Sequence, residues 1–185
     1  MKLHLGCGRI NIPGFYNIDF SDHEHVDLKA DIRDLHMFEN NSVDLIYVSA
    51  TFQYFDRQEG FDCLKEWHRV LKKGGVLRLS TVDFDKLLEV YEKADKSLSY
   101  IIGPLYGRMD VYDDNNKPVK KIYHRTVYSK TDMIDILKQA GYEKIETYEW
   151  ENTIHNDYDD QSQSYFPHME KENGIHIMQN LQAVK

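Results

Sequence analysis

Apolar and polar positions change period several times along the chain, and each change marks an element. Residues 2–5 alternate polar and apolar and run straight into Gly6-Cys7-Gly8, a strand feeding a tight turn. Residues 15–20 read as a second strand and 26–28 as a short third. Val43, Leu45, Ile46 and Val48 make residues 43–49 a near-continuous apolar run, the pattern of a central parallel strand buried on both faces. Phe61, Leu64, Trp67, Val70 and Leu71 then recur at helical spacing, with Gly74-Gly75 as the expected stop and 76–82 as the fifth strand. Phe84, Leu87, Leu88, Tyr91 and Ala94 repeat the helical period behind an N-cap at Asp83 or Thr81.

Residues 97–128 have no sustained period and suggest a short helix followed by a polar turn at Asp113-Asp114-Asn115-Asn116. Ser129 and Asp132 form a capping pair for a helix whose inner face is Met133, Ile134, Leu137 and Ala140, ending at Gly141. Strands follow at 142–150 and 175–184. Between them lie 24 residues, 151–174, rich in His, Asp, Gln and Tyr. An insertion of that length in a compact fold suggests a functional loop.

Strands alternating with helices, closed by two strands after the last helix, indicate an α/β fold with a mostly parallel sheet and an antiparallel return. The connections at 9–14 and 21–25 are too short for crossover helices. One face of the sheet is therefore expected to be thinly covered, which points to a homodimer, or else to cover by residues 97–125. The expected organisation is one domain over 1–185 with a substrate-side insertion at 151–174.

Composition narrows the function. Apolar residues make up 41% and charged residues 29%, with a formal net charge of −8 and scattered Lys and Arg. That balance argues against nucleic acid, which is bound by clustered cations. No apolar run approaches a bilayer span and no leader pattern is seen at Met1, so no membrane partner and a cytoplasmic location are expected. Cys7 and Cys63 are too few for a disulfide framework or a structural zinc site. A small-molecule substrate fits best.

The most informative chemistry is Gly6-Cys7-Gly8 followed by Asp19 at the end of the next strand. Glycines there let the backbone approach a ligand and present N–H groups, and an Asp on the neighbouring strand can accept both hydroxyls of a ribose. An ordinary strand-end turn would use the same glycines. Ala30-Asp31-Ile32 follows the third strand, where a carboxylate can take the amine of an adenine while Ile32 packs on its ring.

Together with Asn41-Ser42-Val43-Asp44-Leu45-Ile46 and the stretch Trp67 to Leu77, these segments resemble the class I S-adenosylmethionine-dependent methyltransferases. The likeness is closest to short members whose first motif reads Leu-Gly-Cys-Gly, with Gly14-Phe15-Tyr16-Asn17-Ile18-Asp19 completing it. It covers about residues 1–90, and more loosely 129–142. The resemblance implies a Rossmann-like three-layer sandwich with sheet order 3-2-1-4-5-7-6 and S-adenosyl-L-methionine as cofactor. It puts Gly6, Cys7 and Gly8 at the methionyl part, Asp19 at the ribose, Asp31 and Ile32 at the adenine, and Ser49 beside the sulfonium. One departure matters. Relatives often carry Ser-His-x-Leu-Glu-His after the fourth strand, where this chain has Ser49, Ala50, Thr51, Phe52, Gln53 and Tyr54, so no base carries over.

A hydroxyl acceptor benefits from a base of near-neutral pKa, which favours histidine. His124 is the first candidate, with a surface or capping role as its alternative. Asp83 is an N-cap first and a candidate base second. Arg125 suits a phosphate or carboxylate on the substrate, or is a solvated charge, and Tyr128 stands in the same segment. His155 and His168 are further acceptor contacts. With Asp159 and Asp160 they match metal ligands by type, but without ligand spacing, and no metal is expected. His4 and His176, within strand patterns, are read as structural. The leading function is methylation of a small polar acceptor, and relatives of this short type imply O-methylation of a sugar or nucleotide-linked sugar in surface-polysaccharide biosynthesis. The rivals are a non-catalytic S-adenosylmethionine-binding module and a nicotinamide-dependent oxidoreductase.

Overall fold

A computed structural model describes residues 1–112 and 117–185. In chain order its elements are β1 (Lys2–Leu5), β2 (Tyr16–Asp19), β3 (Leu28–Lys29), β4 (Val43–Ser49), α1 (Arg57–Val70), β5 (Leu71–Val82), α2 (Phe84–Lys93), α3 (Ile102–Tyr106), β6 (Met109–Tyr112), β7 (Pro118–Ile122), α4 (Lys130–Gln139), β8 (Glu143–Thr147), β9 (Tyr165–Phe166), β10 (Ile175–His176) and β11 (Met178–Val184). Seven strands make the central sheet in the order β3-β2-β1-β4-β5-β11-β8. The first five pair in parallel, while β11 runs antiparallel between β5 and β8. This is the Rossmann-like order 3-2-1-4-5-7-6, with β8 and β11 as its sixth and seventh strands.

Local chemistry sets the helix ends. Asp56 accepts the Glu59 N–H at 2.9 Å and the Glu59 carboxylate accepts the Asp56 N–H at 3.1 Å, a reciprocal cap that opens α1. Asp83 caps α2 through the N–H groups of Asp85 and Lys86. Ser129 caps α4 through the N–H of Asp132, as its spacing predicts. Gly74-Gly75 does not end α1. Leu71 is already extended at φ −62°, ψ 139°, and the glycines fall within β5, where the register with β4 slips between Val43 and Leu45.

Other boundaries also shift. The expected strand over 142–150 stops at Thr147 and turns at Trp150–Asn152. The final strand breaks at Ile177, so that β10 pairs with β9 while β11 joins the sheet. Residues 97–128 hold α3 and an antiparallel ribbon of β6 and β7 that hydrophobic period did not reveal. The polar turn expected at Asp113-Asp114-Asn115-Asn116 lies outside the described residues.

The two faces of the sheet are built differently. Leu3, Leu5, Ile18, Ile46, Val48, Leu77 and Leu79 pack with Leu64 and Trp67 of α1 and with Met133 and Leu137 of α4 in one apolar core. The opposite face carries His4, Asn17, Tyr47, Arg78, Ser80 and Asn180 in register across the strands. It is not bare, and the cover is not 97–125. The insertion lies across it: the His155 ring stacks on Tyr47 at 3.9 Å, and the Tyr47 hydroxyl donates to Asp160 at 2.5 Å. Asn180 Nδ2 donates to the Ser162 carbonyl at 3.1 Å. A polar loop thus takes the place of the crossover helices over β4 and β11. Among the described residues no helix is long and apolar enough to cross a membrane.

Candidate functional site

Parallel strands end together at the carboxyl edge, and the chain leaves β1 there through Gly6-Cys7-Gly8. Gly6 and Gly8 have φ of +67° and +53°, a region costly for residues with a Cβ. A Cβ on Gly6 would lie 2.6 Å from Thr51 Oγ1 and Cγ2, so the loop is pressed against the turn after β4. A Cβ on Gly8 would meet nothing within 4 Å, so the loop's outer side faces open space. Asp19, only 4% exposed, accepts the Gly8 N–H at 2.9 Å on one carboxylate oxygen and the Ser21 N–H at 2.8 Å on the other. Each oxygen keeps lone-pair capacity for a ligand hydroxyl. Burial pushes the Cys7 thiol up to about 12, so Cys7 is a small spacer and not a nucleophile.

The turn after β4 completes this edge. Ala50 has φ +50°, a conformation that costs a non-glycine residue energy. Thr51 Oγ1 donates towards the carbonyls of Ser49 at 3.0 Å and Gly6 at 3.3 Å. Ser49 faces Ser80 in register, and both hydroxyls are buried without a partner. An open glycine cradle, a carboxylate with spare lone pairs and an unsatisfied hydroxyl, on three adjacent strand ends, fit the ribose and methionyl parts of S-adenosylmethionine. The adenine side fits less simply. Asp31 is half exposed and gripped by Arg33, with Nη2 2.6 Å from Oδ2, and this guanidinium holds its carboxyl below the usual range. Ile32 packs in the core, where its carbonyl accepts the Trp67 indole N–H at 2.8 Å.

His124 lies behind β7 against α3. Its Nδ1 is 3.0 Å from the Pro104 carbonyl, and its ring meets Tyr54 edge-on at 4.8 Å. Burial lowers its pKa, which keeps the imidazole neutral near pH 7. Asp83 is shifted the other way by burial, with the N–H groups of α2 opposing that shift. It caps α2 and pairs as a bridge with Tyr128.

The expected acceptor contacts do not gather. Arg125 is bound by the α1 cap, Nη2 lying 2.6 Å from Asp56 and Nη1 bonding Glu59, so it braces a helix start. Tyr128 is buried in the apolar core beneath the Arg57 guanidinium at 4.5 Å. His155 is 1% exposed under the insertion, and burial drops its pKa to about 4. His168 is exposed beside Pro167 in an open recess with Tyr100 and Phe166. Among the described residues no three His, Cys, Asp or Glu side chains gather for a metal ion. The pattern also missed Gln53, whose carbonyl accepts the N–H groups of Arg125 and Thr126 at 2.9 and 3.3 Å and whose side chain accepts the Thr81 hydroxyl at 2.9 Å. Its polarity at a 2% exposed position was the available signal.

Comparison with known proteins points to a methyltransferase fold. Residues 15–79 match the profile of the methyltransferase domain family. Over 77 residues the chain is 39% identical to malonyl-[acyl-carrier protein] O-methyltransferase 1 of Coxiella burnetii, an alignment covering 41% of this chain and 26% of that protein. The chain thus spans about a quarter of the length of this curated relative. A structure from Thermotoga maritima, described as a methyltransferase and possible histamine N-methyltransferase, superposes with a TM-score of 0.59 at 20% identity, covering 100% of this chain and 81% of that one. A methyltransferase from Archaeoglobus fulgidus gives 0.60 at 15% identity, covering 100% and 85%. At such identities the likeness to the two structures is one of fold.

Proposed function

We propose that this chain, which has the class I S-adenosylmethionine-dependent methyltransferase fold and a methyltransferase-domain segment at 15–79, transfers a methyl group to an oxygen of a small polar acceptor. The observation that carries the reading is the Gly6–Gly8 loop, open on its outer side and tied to a buried Asp19 at the carboxyl ends of parallel strands. Gly6, Cys7 and Gly8 hold the methionyl part, Asp19 the ribose hydroxyls and Ser49 the region of the reacting sulfur. Asp31 remains the adenine contact, while Ile32 acts from the core beneath it.

When bound, S-adenosylmethionine supplies an activated methyl group, so the protein's tasks are alignment and removal of one proton. The neutral His124 takes that proton at Nε2, and Asp83 is the second candidate. Nothing in the names of the relatives above refers to a sugar. A glycan acceptor therefore rests on the resemblance of the first motif alone, whereas an oxygen acceptor is also supported by the Coxiella relative.

The test measures S-adenosylhomocysteine binding by calorimetry, and turnover as its release with a pool of sugars, nucleotide sugars and carboxylic acids. Wild type should bind and turn over. His124→Asn should bind equally and lose ~10²–10⁴-fold in kcat, the range for general-base catalysis. Binding with no turnover on any acceptor would favour the non-catalytic module, and binding of NADH instead would overturn the proposal.

A further inference from the structure

Two segments, 104–107 and 53–54, converge on His124. The His124 backbone N–H donates to the Tyr106 carbonyl at 2.6 Å, tying the residue to the end of α3. Its Nδ1 faces the Pro104 carbonyl at 3.0 Å, and a carbonyl can only accept, so Nδ1 carries the hydrogen. In the neutral ring the lone pair then sits on Nε2. The Pro104 carbonyl thus selects the tautomer.

The ring's other neighbour is Gly107, at φ +51°. A Cβ on Gly107 would lie 2.3 Å from Nε2, 2.5 Å from Cδ2 and 2.6 Å from Cε1 of His124. The imidazole therefore fills the space of a missing side chain, and any larger residue must move it. Tyr54 closes the third side, its ring edge-on at an interplanar angle of 81°. Gln53 pins the chain just beyond, through the N–H groups of Arg125 and Thr126. Gln53 and Tyr54 lie in the single turn Phe52–Tyr54 after β4, so one short segment meets the ring and holds the chain that follows it. The neighbouring charges are spent elsewhere, since Arg125 binds Asp56 and Glu59.

We infer that Gly107 and Tyr54 are positioning residues that hold His124 as the Nδ1–H tautomer with Nε2 ready to accept a proton. This rests on the reading of His124 as the base. The tautomer can be read without any acceptor, by multiple-bond proton–nitrogen NMR of the imidazoles in this 185-residue chain with and without S-adenosylhomocysteine, His124 being assigned by His124→Asn. Wild type should show Nδ1–H and a titration midpoint below the ordinary histidine value. Gly107→Ala should shift His124 towards Nε2–H, raise its midpoint and lower kcat ~10²-fold, the scale of a small misplacement of a reacting group. S-adenosylhomocysteine affinity should change little, whereas the melting temperature should fall, because φ +51° strains any residue that carries a Cβ. Tyr54→Ala should shift the tautomer as Gly107→Ala does, and Tyr54→Phe, which restores the ring edge, should restore Nδ1–H.

An Nε2–H tautomer in wild type would overturn the inference, and so would folded Gly107→Ala and Tyr54→Ala proteins with unchanged tautomer and kcat. Should Gly107→Ala fail to fold, the wild-type tautomer and the two Tyr54 variants still decide. Full turnover in His124→Asn with the Nδ1–H tautomer intact in wild type would instead remove the base while leaving the holder in place.

Discussion

Lowering the pH from 7 to 5 should cost the folded chain ~2 kcal/mol for each of two histidines buried where the insertion meets the sheet. His4 and His155 are 2% and 1% exposed and flank the Tyr47 ring at 5.3 and 3.9 Å. Burial pushes both from 6.5 down to about 4. A folded-state value below the unfolded one means that the stability is fully present above about pH 6.5 and is lost as the pH falls towards 4. Arg78 and His4 add charge repulsion at His155 after burial, and the pair together is worth ~2–4 kcal/mol at pH 5. Asp160, raised by its own burial, works in the opposite sense and offsets part of the loss. Urea unfolding followed by circular dichroism at both pH values measures the total, and His155→Phe isolates one contributor because phenylalanine can keep the contact with Tyr47 but cannot titrate. The variant should lose ~2 kcal/mol less than wild type over this interval, equivalent to ~4–8 °C in the shift of Tm for a chain of this size. Equal losses in the two proteins would refute the assignment of the acid sensitivity to His155.

Removing residues 151–174 should unfold the protein, because His4, Tyr47, Phe15 and Ile12 would lose their cover. A deletion variant with native circular dichroism and intact S-adenosylhomocysteine binding would show the segment to be an independent acceptor loop. Asp19→Asn should weaken S-adenosylhomocysteine by ~1.5–3 kcal/mol, the range for a hydrogen bond to a charged group. Unchanged affinity by calorimetry would take Asp19 out of the site.

Much of the parallel sheet was legible because its strands announce themselves locally. An apolar run such as Val43–Ser49 can only be a buried strand, and Asp83 and Ser129 carry the side chains that satisfy a helix's first N–H groups. The turn at Gly6 and Gly8 was legible for the same reason, since the positive φ it needs is cheapest for glycine. The acceptor side was not, because those roles depend on what lies far along the chain. Arg125 meets Asp56 and Glu59 only after folding, and a sequence cannot say that this cation is already spent. His155 has the composition of a ligand but stacks on Tyr47, 108 residues away by number, so it serves as core. Gly107 looked like any loop glycine until the His124 ring filled its missing side chain. Hydrogen-bonding needs within a few residues are written in local order. Which polar group ends up buried, paired or free is set by long-range packing, and only the tertiary structure decides it.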